Sequence, residues 1–261
     1  MNIVVCMKQV PGTTQVKINP ETNSLVREGI ENIINPFDTY ALEEGVRLRE
    51  KYGGKVTVVC MGPPQAESAL REAISLGADD VILLSDRAFA VADTWATART
   101  LSAAMKKLAS YDIIICGRQT IDGDTGQVGP ELAEMLEVPF VAYVSNIEEI
   151  KESYLRVRRM VEEGHEIIET SLPTVITVAK EINVPRLPSL RGIMKSKNAA
   201  ITTWTIADLN VSPDMVGLAG SSTQVIKIFF PQRVHRAEIL EGDLDTQVDT
   251  LIDRLKGANL C

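Results

Sequence analysis

At 261 residues and 28.6 kDa, with about 150 residues to a domain, the chain holds one large domain or two modest ones. Hydrophobic residues make up 45% and charged residues 24%, the mean hydropathy is +0.04, and no apolar run reaches the ~18 residues of a membrane span, which excludes a disordered chain and membrane insertion. The 27 Lys and Arg against 35 Asp and Glu leave a net charge of −8, and 5% of the residues are aromatic, so no nucleic-acid binding is expected.

The chain opens on Met1-Asn2-Ile3-Val4-Val5-Cys6-Met7-Lys8, which lacks the charged start and long apolar stretch of a signal peptide and reads as a first strand; a cytoplasmic location is expected. Further short apolar runs follow at 56–60, 81–84, 113–116 and 140–144. Their near-continuous hydrophobicity suits strands covered on both faces. Between them the pattern predicts helices from Asp38, as cap, to about Lys51, over 65–76, from Asp93 onward, and from about Pro130 to Leu136. This alternation predicts an α/β fold, a doubly wound and mostly parallel sheet with right-handed crossovers. Two hairpins interrupt it, one from Val16-Lys17-Ile18 to Leu25-Val26-Arg27 and one from 155–158 to 166–169.

After a last apolar run at 174–178, Pro185, Pro188, Gly192, Pro213, Gly217 and Gly220 punctuate a stretch with little periodicity, and a helix from about Ala237 to Lys256 carries an apolar stripe. The expected organisation is an α/β domain over 1–183, a separate loop over 184–197, and a C-terminal arm with a terminal helix over 198–261. The arm either folds back on its own domain or docks on a partner subunit.

Open α/β sheets bind ligands beyond the carboxyl ends of their strands. The loop Gly117 to Pro130, which follows the run at 113–116, is the most informative of those there: Gly123, Gly126 and Gly129 permit close backbone approach, and the helix after it offers unpaired N–H groups suited to a pyrophosphate. It matches neither a Walker A motif nor Gly-x-Gly-x-x-Gly, and a plain surface loop is the alternative. Asp122 and Asp124 would repel a phosphate, which suits them to ribose hydroxyls, capping or turns. Cys6, Cys60 and Cys116 end three of the strands and read as buried small hydrophobes rather than a thiol site. No metal-ligand spacing occurs, and His165 and His235 lie away from strand ends. A nucleotide site without side-chain catalysts fits a cofactor that carries the chemistry itself. The segment Arg186 to Lys197 has four positive charges and no negative one, as a basic loop facing an acidic partner or as an ordinary solvated loop.

Taken together, Val-Val-Cys-Met-Lys-Gln-Val, Asn35-Pro36-Phe37-Asp38, Cys60-Met61-Gly62-Pro63, the Gly117 to Pro130 loop, Glu162-Glu163-Gly164 followed by Leu172-Pro173-Thr174, and the Arg186 to Lys197 segment resemble the β subunits of electron-transfer flavoproteins from end to end. The resemblance implies a sheet of the adenine-nucleotide-binding type and an α-subunit partner that holds an FAD. Asp-Gly-Asp-Thr-Gly-Gln-Val-Gly-Pro is similar to the bifurcating branch of anaerobes, which implies a second FAD in this chain, hydride supply from NADH, and electron delivery to ferredoxin or flavodoxin and to an acyl-CoA dehydrogenase. In the other branch the nucleotide is AMP. By position the resemblance assigns Cys6, Asn35, Asp38, Met61, Thr94, Thr97, Ile121, Asp122, Gly123, Asp124, Thr125, Gly126, Gln127, Val128 and Gly129 to the nucleotide, Phe37 and Thr13 to the α-subunit flavin, and Leu190, Lys195 and Lys197 to dehydrogenase docking.

Overall fold

A computed structural model describes residues 1–12, 17–19, 24–26, 31–108, 110–226, 237 and 239–260. The first strand, β1 (Asn2–Met7), is followed by four short ones, β2 (Gln9–Pro11), β3 (Lys17–Asn19), β4 (Ser24–Val26) and β5 (Asn32–Ile34), which pair as β2 with β5 and β3 with β4. A helix-and-strand alternation then runs α1 (Pro36–Tyr52), β6 (Lys55–Met61), α2 (Glu67–Leu76), β7 (Asp80–Leu84), α3 (Thr94–Lys107), β8 (Ile113–Gly117) and α4 (Val128–Leu136). An antiparallel meander of β9 (Phe140–Ile150), β10 (Tyr154–Val161) and β11 (Gly164–Ser171) leads to β12 (Thr174–Val178). The chain continues through α5 (Leu190–Asn198), β13 (Thr202–Trp204), α6 (Ile206–Leu209) and α7 (Leu244–Gly257).

Among the described residues nine strands form one sheet in the order β11-β10-β9-β12-β8-β1-β6-β7-β13, parallel from β9 to β13. Strand alternation splits the core into two layers. Ile3, Val5, Val58, Ile113, Ile115 and Ile176 pack under α1 and α2, while Val4, Cys6, Val59, Ile114, Cys116 and Val175 pack under α3 and α4. Covering both faces is what makes these strands continuously apolar in sequence. The strand order reverses at β1, with β6 and β7 laid down on one side and β8 and β12 on the other. The crevice between the carboxyl ends of β1 and β8 is therefore the topological switch point.

The structure corrects three expectations. Asp38 does not cap α1: the helix begins at Pro36, behind Asn35, and Asp38 faces inward. Residues 190–198 are helical rather than loop, because the Ser189 hydroxyl accepts from Gly192 N–H at 3.0 Å and starts a turn. One compact unit runs from Met1 to Ile226, in which β13 adds to the sheet edge beside β7 and Ser85 N–H donates to Trp204 C=O at 3.0 Å. Residues 227–261 form a second unit, in which α7 starts at Leu244, later than the sequence pattern suggested, with the Asp243 side chain accepting from Thr246 N–H. His235 and Thr13 lie outside the described residues.

Candidate functional site

At the switch point, Asn35 joins three pieces of chain. Its backbone N–H donates to Lys8 C=O at 2.9 Å, its Nδ2 to Gln119 C=O at 2.9 Å, and its Oδ1 accepts from Ile121 N–H at 3.3 Å. One buried amide thereby fixes the start of the 117–130 loop against the end of β1. Lys8 adds a second fastening, its Nζ donating to both Asp122 oxygens at 2.8 and 2.7 Å. Burial opposes ionisation of Asp122, but the bond and charge of Lys8, together with hydrogen bonds from Thr120 and its own backbone, outweigh it and hold the carboxyl below its ordinary range. Further along, Gln119 Nε2 bonds Asp124, and Asp124 N–H donates to Thr120 C=O at 2.9 Å. Asp124 and Gly126 have φ of +54° and +64°, so two left-handed residues fold the loop back toward α4.

Glycines set how closely the elements meet. A Cβ on Gly117 would collide with Asp38 Oδ1 and lie 2.7 Å from the Phe37 carbonyl carbon, so only glycine lets β8 end against α1. A Cβ on Gly129 would lie 2.6 Å from Thr177 Cγ2, so the start of α4 rests directly on β12. No side chain caps α4. Beside its first turn stands Thr94, the first residue of α3, whose hydroxyl donates to Glu131 Oε1 at 3.0 Å and reaches Gln127 Oε1 at 3.5 Å. The other carboxylate oxygen of Glu131 is buried with no hydrogen-bond partner among the described residues, and burial raises this acid above its usual range.

An electron transfer flavoprotein domain model matches residues 22–209. The chain is 51% identical to an electron transfer flavoprotein subunit beta of Thermoanaerobacterium thermosaccharolyticum over 261 residues, covering 100% of both chains. It is 45% identical over 258 residues to the caffeyl-CoA reductase-Etf complex subunit CarD of Acetobacterium woodii, covering 98% of each, and 45% identical over 249 residues to protein FixA of Azotobacter vinelandii, covering 93% of this chain and 89% of that one. The chain belongs to the electron transfer flavoprotein family, as a β subunit.

Within this electron transfer flavoprotein chain, the expected nucleotide residues fall into connected groups. Cys6 and Asn35 and Asp38 lie at the end of β1 and the start of α1, Met61 ends β6, and Ile121 to Gly129 form the loop and the first turn of α4. Thr94 is bonded to that turn, whereas Thr97 sits one turn further along α3 without such a bond. Phe37 is stacked under Arg118, whose Cζ is 5.1 Å from the ring centroid. Lys8, Gln119, Arg118 and Glu131 are the members that sequence reading did not single out as site residues. Burial pushes the Cys60 thiol up to about 12, and a hydrogen bond with Cys6, together with burial, raises Cys116, so neither of these two is poised as a thiolate.

Leu190, Lys195 and Lys197 form a separate group at the other end of the sheet. Their helix, α5, lies along α2, with Lys195 Nζ donating to Ala78 C=O at 3.2 Å and Arg71 Nη1 to Ser196 C=O at 2.6 Å. Leu187, Leu190 and Met194 are 88%, 84% and 70% exposed. They adjoin a cleft of about 560 Å³ lined in part by Arg49, Asp79, Arg186, Arg191 and Lys195. Arg186 is anchored by Glu43 at 2.8 Å and Glu50 at 2.6 Å.

Proposed function

We propose that this β subunit holds FAD at the switch point, in a complex that accepts a hydride from NADH, passes one electron to ferredoxin or flavodoxin and directs the other through the α-subunit FAD to an acyl-CoA dehydrogenase. The observation that carries the nucleotide part is the fastened loop: Asn35 and Lys8 hold residues 119–122 in place, and the loop leads into a first turn of α4 that carries no side-chain cap. Helix N–H groups left without a cap suit a pyrophosphate, and the unpartnered Glu131 oxygen suits a hydroxyl donor.

The residues fit such a group. Asn35, Ile121 to Gly129 and Thr94 would hold it, with Cys6, Asp38 and Met61 forming the floor at the strand ends, and Thr97 further along α3. When bound, the flavin supplies hydride and single-electron transfer. The protein's part is to bind, orient and exclude water. Asp122, neutralised by Lys8, adds no net repulsion toward a phosphate.

Phe37, held by Arg118, and Thr13 are assigned to contact with the flavin of the α subunit. Leu190, with Lys195 and Lys197 beside it, is assigned to dehydrogenase docking: an apolar projection rimmed by cations fits an apolar pocket with an acidic rim. The relative named as part of a caffeyl-CoA reductase complex supports a partner that handles acyl-CoA substrates. The buried free thiols accord with a reducing compartment such as the cytoplasm, and no described helix is long and apolar enough to cross a membrane.

The deciding experiment is to co-express the chain with its α subunit, denature the purified complex and quantify released FAD and AMP by chromatography. About two FAD per heterodimer is the expected result. One FAD with one AMP would replace this reading with that of a single-flavin carrier whose β subunit clamps AMP structurally.

A further inference from the structure

Asp38 is 5% exposed and lies where the ends of β1 and β8 part. Its Oδ2 accepts from Lys8 N–H at 2.8 Å, and the carboxyl also accepts from Gly117 N–H on the opposite strand. The titratable and charged groups around it are Lys8 and Cys6 on β1 or just beyond it, Cys60 on β6, and Cys116 on β8, with Asp122 and Arg118 further out in the loop and the neutral Asn35 at the head of its own helix. Among the described residues no cation pairs with it. The Lys8 ammonium is committed to Asp122, and Arg118 is stacked on Phe37 with its Nε bonded to Gln119 at 2.8 Å.

We propose that Asp38 is a proton-linked positioning residue of the nucleotide site, taking up a proton when an anionic nucleotide seats on the 117–130 loop and losing it when the nucleotide leaves. This rests on the nucleotide reading above and adds to it how the site responds to pH. A carboxylate that bridges two strand ends inside a poorly polarisable floor is disfavoured further by each negative charge brought to the crevice above it. The proton is exchangeable near neutrality, because burial pushes the Asp38 carboxyl up to about 7 against the opposing bonds from Lys8, Asn35 and Gly117. The sign follows from linkage. Well below pH 7 the carboxyl is already protonated and binding takes up little. Above it, binding must draw a proton from solution, so affinity falls as pH rises, about tenfold for each unit by which the bound anion lifts the group. Protonation also weakens one carboxyl oxygen as an acceptor, which loosens the bridge between β1 and β8 and lets the crevice adapt to its occupant.

The test is calorimetric titration of the heterodimer, depleted of the nucleotide held by this chain, with FAD, whose pyrophosphate keeps its charge from pH 6 to 8.5. Performed in two buffers of different protonation enthalpy, it reads proton uptake directly. The expected result is uptake of a fraction of a proton at pH 7.5, its fall to little at pH 6, and its loss in Asp38→Asn. No uptake at pH 7.5, or uptake that persists in Asp38→Asn, overturns the proposal. Should that variant fail to fold, infrared difference spectra of the unaltered protein decide the matter: a carboxylic-acid band that grows on binding at pH 7.5 supports it, and an unchanged band overturns it. Failure of FAD to bind while ADP binds overturns the FAD reading alone. Proton uptake with ADP that is lost in Asp38→Asn then supports the role of Asp38, and uptake equal in the two proteins overturns that role.

Discussion

Asp38 and Gly117 illustrate how one residue's chemistry dictates its neighbour's identity. The carboxyl occupies the volume that a side chain at 117 would need, so the strand end and the helix start meet at backbone distance. Gly117→Ala is therefore expected to cost about 1–3 kcal/mol, as the β8 end shifts off α1. Gly123→Ala, whose Cβ would meet only Thr120 Oγ1 at 3.5 Å, is expected to stay within about 0.5 kcal/mol of the parent. Denaturant unfolding of the two variants side by side checks the contrast, and equal losses would refute the close-approach account. Neither role was visible in sequence. An aspartate at the third position of a helix reads as a cap or a dipole partner, and nothing local to Asp38 indicates that its carboxyl turns inward toward a backbone 79 residues away in the chain. The Lys8–Asp122 pair, separated by 114 residues, is silent for the same reason. Gly126 and Gly129 of the loop were legible, because Gly is the residue that a left-handed turn or a tight contact requires, whereas Gly123 meets neither condition.

The α2–α5 pair shows an element that the sequence pattern concealed. Nine residues with two lysines and few apolar positions fall short of a convincing helical period, and the prolines before them suggest a loop. The helix exists because α2 supplies its ends. Arg71 satisfies the terminal carbonyl of Ser196 at 2.6 Å, Lys195 returns a bond to Ala78 beyond α2, and Gly192 lets α5 pass close to Ser75 C=O. Arg71→Met should release the C-terminal turn of α5, costing on the order of 1–2 kcal/mol and speeding amide exchange over residues 193–198. Leu190→Ala should leave that exchange unchanged while slowing electron delivery to the dehydrogenase. If Leu190→Ala transfers electrons at the parent rate with unaltered nucleotide content, docking does not run through this side chain. The central parallel strands, by contrast, were readable, since burial on both faces leaves an unbroken apolar run, whereas β9, β10 and β11 extend beyond the runs read for them because most of their residues are not buried.

For the molecule as a whole, the chain divides at 226/227. A three-residue strand such as β13 carries too little pattern to be recognised, yet it joins residues 202–204 to the sheet by parallel pairing with 82–84. The second unit contains α7, whose Leu244, Val248, Leu251 and Ile252 are exposed. Such a stripe is suited to burial against the α subunit. Truncation after Ile226 is expected to preserve the circular dichroism of the α/β unit and to abolish co-elution with the α subunit in gel filtration. Retained co-elution would place the subunit contact within residues 1–226.

The crevice at β1 and β8 and the projecting face of α5 stand at opposite margins of one sheet, a strand of five to seven residues apart, or roughly 20 Å. Gripping and feeding are consequently different jobs in this molecule. On the docking proposed above, a dehydrogenase held at Leu190 would be moored a strand's length from the proposed nucleotide, at the far quay from the cargo.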